Sequence, residues 1–194
     1  LEGVGRLDVL TAVNRRALGY YEGQALDRLP VSSLERRARL LHAMGEDDEQ
    51  RGDLDRALAQ FQEARRTTAA LLAAKPDDPE RIYAHAQSEY WVGYVDYRRE
   101  RWAPAKVSWT SYRQLAEQLT RIAPENGAWR RELGFANGNL CTLALHPSNL
   151  NAAVALVHCV AALAEMERAA ASLSTDAKLR NDLANRHGWL ADAY

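Results

Sequence analysis

A period of 48 residues runs along the chain and limits what it can fold into more than any other feature. Gly45 is answered by Gly93, Ala57 by Ala105, Phe61 by Trp109 and Pro76 by Pro124, each match keeping residue class and not mere polarity. A third copy continues the register, with Cys141 at the glycine place, Ala153 at the alanine place, Val157 at the ring place, and Leu150 answering Trp102 and Leu54. Such periods mark arrays in which each unit buries its apolar face only against its neighbours. The 194 residues are therefore expected to form one continuous repeat domain, 1–194. Its parts are a partial unit over 1–30, full units over 31–76, 77–124 and 125–173, and a partial unit over 174–194.

The first full copy fixes the internal layout. Numbered from Ala38 as place one, Leu41, Met44, Gly45, Gly52, Ala57, Phe61 and Ala64 fall at places four, seven, eight, fifteen, twenty, twenty-four and twenty-seven. This spacing resembles the tetratricopeptide repeat, whose two antiparallel helices keep small residues at eight, twenty and twenty-seven and a large ring at twenty-four. The resemblance implies an all-α, right-handed α-α superhelix of antiparallel helix pairs. Gly45 and Ala57 would let the backbones approach where the helices cross, Phe61 would fill the space between units, and Gly52 suits the turn. The second copy departs at Glu89 (place four) and Tyr112 (place twenty-seven). The third departs further, with Asn137 at four, Cys141 at eight, Val157 at twenty-four and Val160 at twenty-seven.

A period of 48 exceeds the usual tetratricopeptide unit by about 14 residues, or roughly 21 Å of added helix. Both helices of each pair are expected to be long. Nothing between Asp53 and Ala74 breaks a helix; Lys75-Pro76 stops it, and Asp77-Asp78-Pro79-Glu80 caps the next. Pro104 falls in a first helical turn, where proline is tolerated. The stop signal recurs at Pro124-Glu125-Asn126-Gly127 and again near Ser172 to Asp176. Before the first full copy, Val4 to Tyr21 reads as an amphipathic helix with Leu7, Leu10, Val13, Ala17 and Tyr20/Tyr21 on one side. At the other end Leu190, Ala191 and Tyr194 fit places seven, eight and eleven of a fourth copy only after a shift of two residues. The chain is expected to be a piece of a longer protein.

Charge and cysteine content narrow the function. With 25 basic and 26 acidic residues the net charge is −1, so no field gathers phosphates and nucleic-acid binding is disfavoured. No stretch reaches the 18 or so apolar residues of a membrane span. Two cysteines are too few for a disulfide scaffold, and the expectation is a reducing, cytoplasmic setting. Cys141, His146, His158 and Cys159 lack the paired spacings of a metal site; Cys141 reads as the small residue of place eight and Cys159 as a buried apolar one. Neither a nucleophile motif nor a phosphate-binding loop is found, so no catalytic residue and no cofactor are assigned.

What remains is binding. The inner wall of such an array is lined mainly by places two, five, nine and twelve: Arg39, His42, Glu46 and Glu49; Gln87, Tyr90, Tyr94 and Tyr97; Phe135, Gly138, Thr142 and Leu145. Candidate contact residues are Gln87, Tyr90, Tyr94 and Tyr97, with Arg39, His42 and Phe135. The tyrosines sit at helical spacing on one face, a pattern shared by a ligand platform and by ordinary packing against the next unit. The lysine, arginine and asparagine clamp with which some tetratricopeptide proteins hold a C-terminal carboxylate is not reproduced. The acidic run Glu46 to Glu49 reads as a solvated face, with an arginine-rich partner as the second reading. The resemblance implies a protein–protein interaction scaffold or ligand-sensing arm of a larger bacterial signalling or defence protein. Self-association and a passive spacer are the alternatives.

Overall fold

The structure is a computed structural model that describes residues 13–14, 16–21, 23–172 and 177–193. Every described element is helical. In chain order these are α1 (Val31–Gln50), α2 (Leu54–Ala74), α3 (Pro79–Arg98), α4 (Trp102–Ile122), α5 (Gly127–Leu145), α6 (Ala152–Ser172) and α7 (Ala177–Ala193), with 3-10 turns at Leu26–Arg28 and Pro147–Asn149. Residues 13–14 and 16–19 are helical, in the last part of the expected helix Val4 to Tyr21; its earlier part, the joint over 173–176 and Tyr194 lie outside the described residues. The chain divides into two compact units, Leu1–Arg99 and Glu100–Tyr194.

Helices stop at Ala74 and Ile122, beside the expected signals at Pro76 and Pro124, and α3 starts at the expected Asp78-Pro79. Asp53 caps α2 by accepting from the Arg56 amide at 3.2 Å, after a turn in which Gly52 takes a φ of 80°. Asp78 caps α3 through the Glu80 and Arg81 amides, with Pro79 in the first turn, and Asn126 caps α5 through the Ala128 and Trp129 amides. Glu100, 48 residues after Gly52, adopts the same left-handed backbone with φ 56°, a conformation that a residue with a Cβ enters at a cost of about 1–2 kcal/mol.

In the first unit, partners across each helix pair run in opposite order, as antiparallel neighbours require. Asp48 meets Arg56, Gly45 meets Phe61 and Arg37 meets Glu63 between α1 and α2; Phe61 meets Trp91, Arg65 meets Glu89 and Leu71 meets Arg81 between α2 and α3. The crossing residue is Gly45: a Cβ there would lie 2.6 Å from Phe61 Cε1. Phe61 packs in one buried cluster with Ala57, Leu58, Val92 and Val95.

The second unit repeats the plan with α4 to α7. Tyr112 on α4 donates to Glu132 on α5 at 2.7 Å; Gly134 on α5 faces Met166 on α6; α7 packs on α6 and, through Arg186 lying on Gly138, on α5. Burial corrects the third copy. Its first helix keeps the 48-residue register, with Gly134, Asn137, Leu140, Cys141 and Ala144 buried. Its second helix does not: Val157 and Val160 are 66% and 46% exposed and Leu150 65%, while Ala155, Cys159, Ala162, Met166 and Ala169 are buried. These five repeat the spacing of Ala57, Phe61, Ala64, Thr68 and Leu71 and of Ala105, Trp109, Tyr112, Ala116 and Leu119, displaced by two residues. The cause is the longer turn His146 to Asn151, which carries the Pro147–Asn149 3-10 turn where the corresponding α1–α2 and α3–α4 turns have only three residues.

The same shift corrects the reading of the cysteines as two free side chains. Cys159 takes the ring place opposite Cys141 at the glycine place, and the two form a disulfide with a Cα separation of 5.1 Å. Eighteen residues apart in sequence, they meet because the α5–α6 hairpin folds back on itself.

Candidate binding groove

Between α1 and α3, over the C-terminal part of α2, the first unit has a groove of about 510 Å³. Arg39, His42 and Glu46 line it from α1 and Gln87 from α3, so four of the expected inner-wall residues share one site, joined by Trp91. Tyr90 and Tyr94 continue along α3. Their rings stack at 6.0 Å, and both meet Trp91 edge-on, at 5.1 Å and 5.7 Å. The Tyr94 hydroxyl lies 3.4 Å from Glu49 Oε1, and Arg98 donates to that carboxylate at 2.5 Å and to the hydroxyl at 3.1 Å. Tyr97 is half-buried, and burial pushes its hydroxyl pKa up. Phe135 belongs to the second unit, where it packs beside Met166 and Ala169 with the Arg186 guanidinium 5.7 Å from its ring.

Trp91 is not among the expected inner-wall residues. It stacks on Phe61 at 5.0 Å and 8°, and so joins the interior to the groove. Behind the groove wall runs a polar chain that the sequence also left unannounced. His42 Nε2 lies 2.8 Å from Ser88 Oγ, Ser88 3.0 Å from the Thr68 hydroxyl, and Thr68 3.0 Å from His85 Nδ1. Ser88 Oγ also lies 3.2 Å from the Ala84 carbonyl, a second partner for its hydroxyl. His85 Nε2 is 3.8 Å from Glu89, which Arg65 reaches at 3.4 Å. Burial holds both imidazoles neutral, with pKa values of about 4; the nearby Arg65 adds to the effect at His85. Glu89, the odd residue at place four, is thus a buried carboxylate with a partner on α2.

A second hollow, about 710 Å³, opens in the second unit beside the longer turn, with Trp102, Lys106, Asn149 and His158 among its walls. Trp102 and His146 pack ring on ring at 4.3 Å. His158 Nδ1 is 3.2 Å from Asn137 Oδ1, and burial, with Arg113 and Lys106 nearby, lowers its pKa. Among the described residues no group of three or more histidine, cysteine or acidic side chains is arranged to hold a metal ion. No described helix is long and apolar enough to cross a membrane.

Comparison with solved structures places the fold. BtubC (BKLC) from P. vanneervenii superposes with a TM-score of 0.61 over 99% of this chain and 73% of its own, at 14% identity. At that identity the likeness concerns fold alone: an all-α helical repeat. TTC0263, a thermophilic TPR protein of Thermus thermophilus, aligns over 96% of this chain and 93% of its own at 16% identity, with a TM-score of 0.35 too low to bear on the fold. No family model matches the chain, and no curated protein matches it.

Proposed function

We propose that the chain is a protein-interaction scaffold or ligand-sensing arm of a larger bacterial signalling or defence protein, and that it receives a peptide segment in the α1–α3 groove and along Tyr90, Tyr94 and Tyr97. The observation that carries this reading is the groove itself. The part-buried Trp91 indole and Tyr83 phenol line a hollow edged by charged side chains, and Tyr90 and Tyr94 extend the aromatic surface from Trp91 along α3, which is the mix of rigid aromatic area and polar rim that protein partners use. Catalysis has no support of this kind, since Ser88, whose hydroxyl meets His42 of the groove wall, is itself fully buried.

The test is partner capture by the full-length protein carrying Tyr90→Ala and Tyr97→Ala. A tenfold or greater loss with an unchanged melting temperature supports the reading, whereas unchanged capture and activity favour a passive spacer. A second reading, self-association, is favoured by Val107, Leu150 and Val157 in the second unit, each about two-thirds exposed. Light scattering separates it: a monomer at all concentrations removes it. The cytoplasmic placement belongs to the proposal too. It requires the Cys141–Cys159 pair to be reduced in the cell, because cytosolic thiols are kept so, and alkylation trapping of the thiols checks it.

A further inference from the structure

The end of α1 is electrostatically unfavourable. Glu46, Asp47, Asp48 and Glu49 crowd its last turns, where the helix dipole is already negative and where no basic residue of the helix offsets it. Two of these acids are answered inside the unit: Asp48 by Arg56 at 3.1 Å and Glu49 by Arg98 at 2.5 Å. Glu46 is not. It lines the groove with no hydrogen bond or ion pair among the described residues, and burial together with the neighbouring Asp47 pushes its carboxyl pKa up, the signature of a negative charge lacking a cation.

The rest of the wall has more acid than free base. Glu35 and Glu80 add two carboxylates; Arg81 donates to the Leu71 carbonyl at 3.0 Å; His42 is neutral; among the described residues of the rim, Arg39 alone remains as a free positive charge. Trp91 lines the same groove, with Phe61 stacked on its ring. An indole beside an unpaired carboxylate suits a guanidinium, which lies flat on a ring while its in-plane N–H groups meet a carboxylate. Ammonium lacks the flat face and serves less well. From Glu35 to Glu46 the groove runs along roughly 16 Å of helix, at about 1.5 Å per residue. An extended segment of about five residues spans that length.

Resting on the binding reading above, we propose that the α1–α3 groove selects an extended partner segment bearing an arginine, whose guanidinium pairs with Glu46 over Trp91. The experiment is a selection of randomised heptapeptides displayed against the purified chain. It is followed by fluorescence anisotropy on the best peptide, on its arginine-to-lysine form and on its arginine-to-citrulline form, which keeps the shape and loses the charge. Enriched peptides should share an arginine; citrulline should weaken binding at least tenfold, and lysine by less. Glu46→Gln should abolish the difference between the arginine and citrulline peptides while leaving the melting temperature unchanged or raised, because it removes an unpaired, partly buried charge. Enrichment of peptides without basic residues, or a preference for arginine that survives Glu46→Gln, overturns the proposal and leaves the groove as a binding site for something else. Failure to enrich any sequence overturns both.

Discussion

In the first unit α1 and α2 cross with Gly45 seated against the Phe61 ring; in the second, α5 and α6 cross with Cys141 bonded to Cys159. The helix positions correspond once the two-residue displacement of α6 is allowed for, so one contact is made by shape in one unit and by a covalent bond in the other. The buried polar groups differ as well. The first unit encloses a chain of hydroxyls and neutral imidazoles that satisfy one another. The second encloses Arg186, 6% exposed and 4.1 Å from the Trp189 ring, with Nε and Nη1 buried and no acceptor for either among the described residues. The same backbone plan thus gives two units that respond to different solution conditions.

Acid should separate them most. His42 and His85 titrate at about 4 in the folded first unit and near the ordinary 6.5 when unfolded. The unfolded chain therefore binds more protons between those values, and stability fully present above pH 6.5 is lost as pH falls toward 4. Each ring contributes on the order of 1.4 kcal/mol per pH unit across that window, less where the two interact through Ser88 and Thr68. Arg186, with a pKa lowered to about 10 chiefly by burial, does not titrate there, and His158, also lowered, gives the second unit a weaker response in the same direction. Melting followed from pH 8 to pH 4 should show the first unit falling faster, and His42→Gln with His85→Gln should flatten its profile. Parallel loss in both units would mean that the imidazoles are not protected.

The crossing contacts offer the next contrast. Phe61 is fully buried, and Phe61→Ala should cost the first unit about 3–5 kcal/mol through the cavity it leaves, whether or not reductant is present. Reduction should instead cost the second unit about 2–4 kcal/mol, the usual range for a cross-link closing a loop of this size. Denaturant curves with and without reductant check both. A Phe61→Ala loss of under about 1 kcal/mol would mean that the ring is not the wedge between α1, α2 and α3.

These contrasts also show why part of the molecule could be read from residues and part could not. Capping side chains and prolines act within a few residues, so Asp78 and Pro79 marked a helix start correctly, while the caps at Asp53 and Asn126 lay inside stretches read only as an unbroken run and a stop. The small and ring places held wherever hairpin turns kept one length. They failed in α6 because the added turn residues leave no trace in a pattern of apolar spacing, and because exposed Val157 and Val160 are as apolar as buried Ala162 and Cys159. Residues that looked like decay of the repeat proved to be partnered. Glu89 meets Arg65, Tyr112 meets Glu132, and Asn137 meets His158, each on a neighbouring helix, which sequence spacing does not display. For the groove, Arg39, His42 and Gln87 follow from their inner-wall places. Trp91 does not, since its position depends on how far α3 is rotated to let the indole stack on Phe61.

The smallest expected effect compares two glycines at different places of the repeat, Gly45 at the helix crossing and Gly138 at an inner-wall place. At Gly45 an added methyl would meet the Phe61 ring at 2.6 to 2.8 Å, and the ring is enclosed on all sides, so Gly45→Ala should cost about 1–3 kcal/mol as overpacking. At Gly138 the nearest atom, Arg186 Nη1, is closer still, yet it is the far end of a long side chain with no acceptor among the described residues to hold it. Alanine also gains about 1 kcal/mol over glycine in a helix interior. Gly138→Ala should therefore change stability by less than about 1 kcal/mol in either direction, with the guanidinium swung aside. The measurement is a pair of urea curves on the two single variants. If Gly138→Ala proves as costly as Gly45→Ala, Arg186 is fixed in place by something stronger than the Phe135 and Trp189 rings, and the second unit is more rigid around its buried charge than its contacts imply.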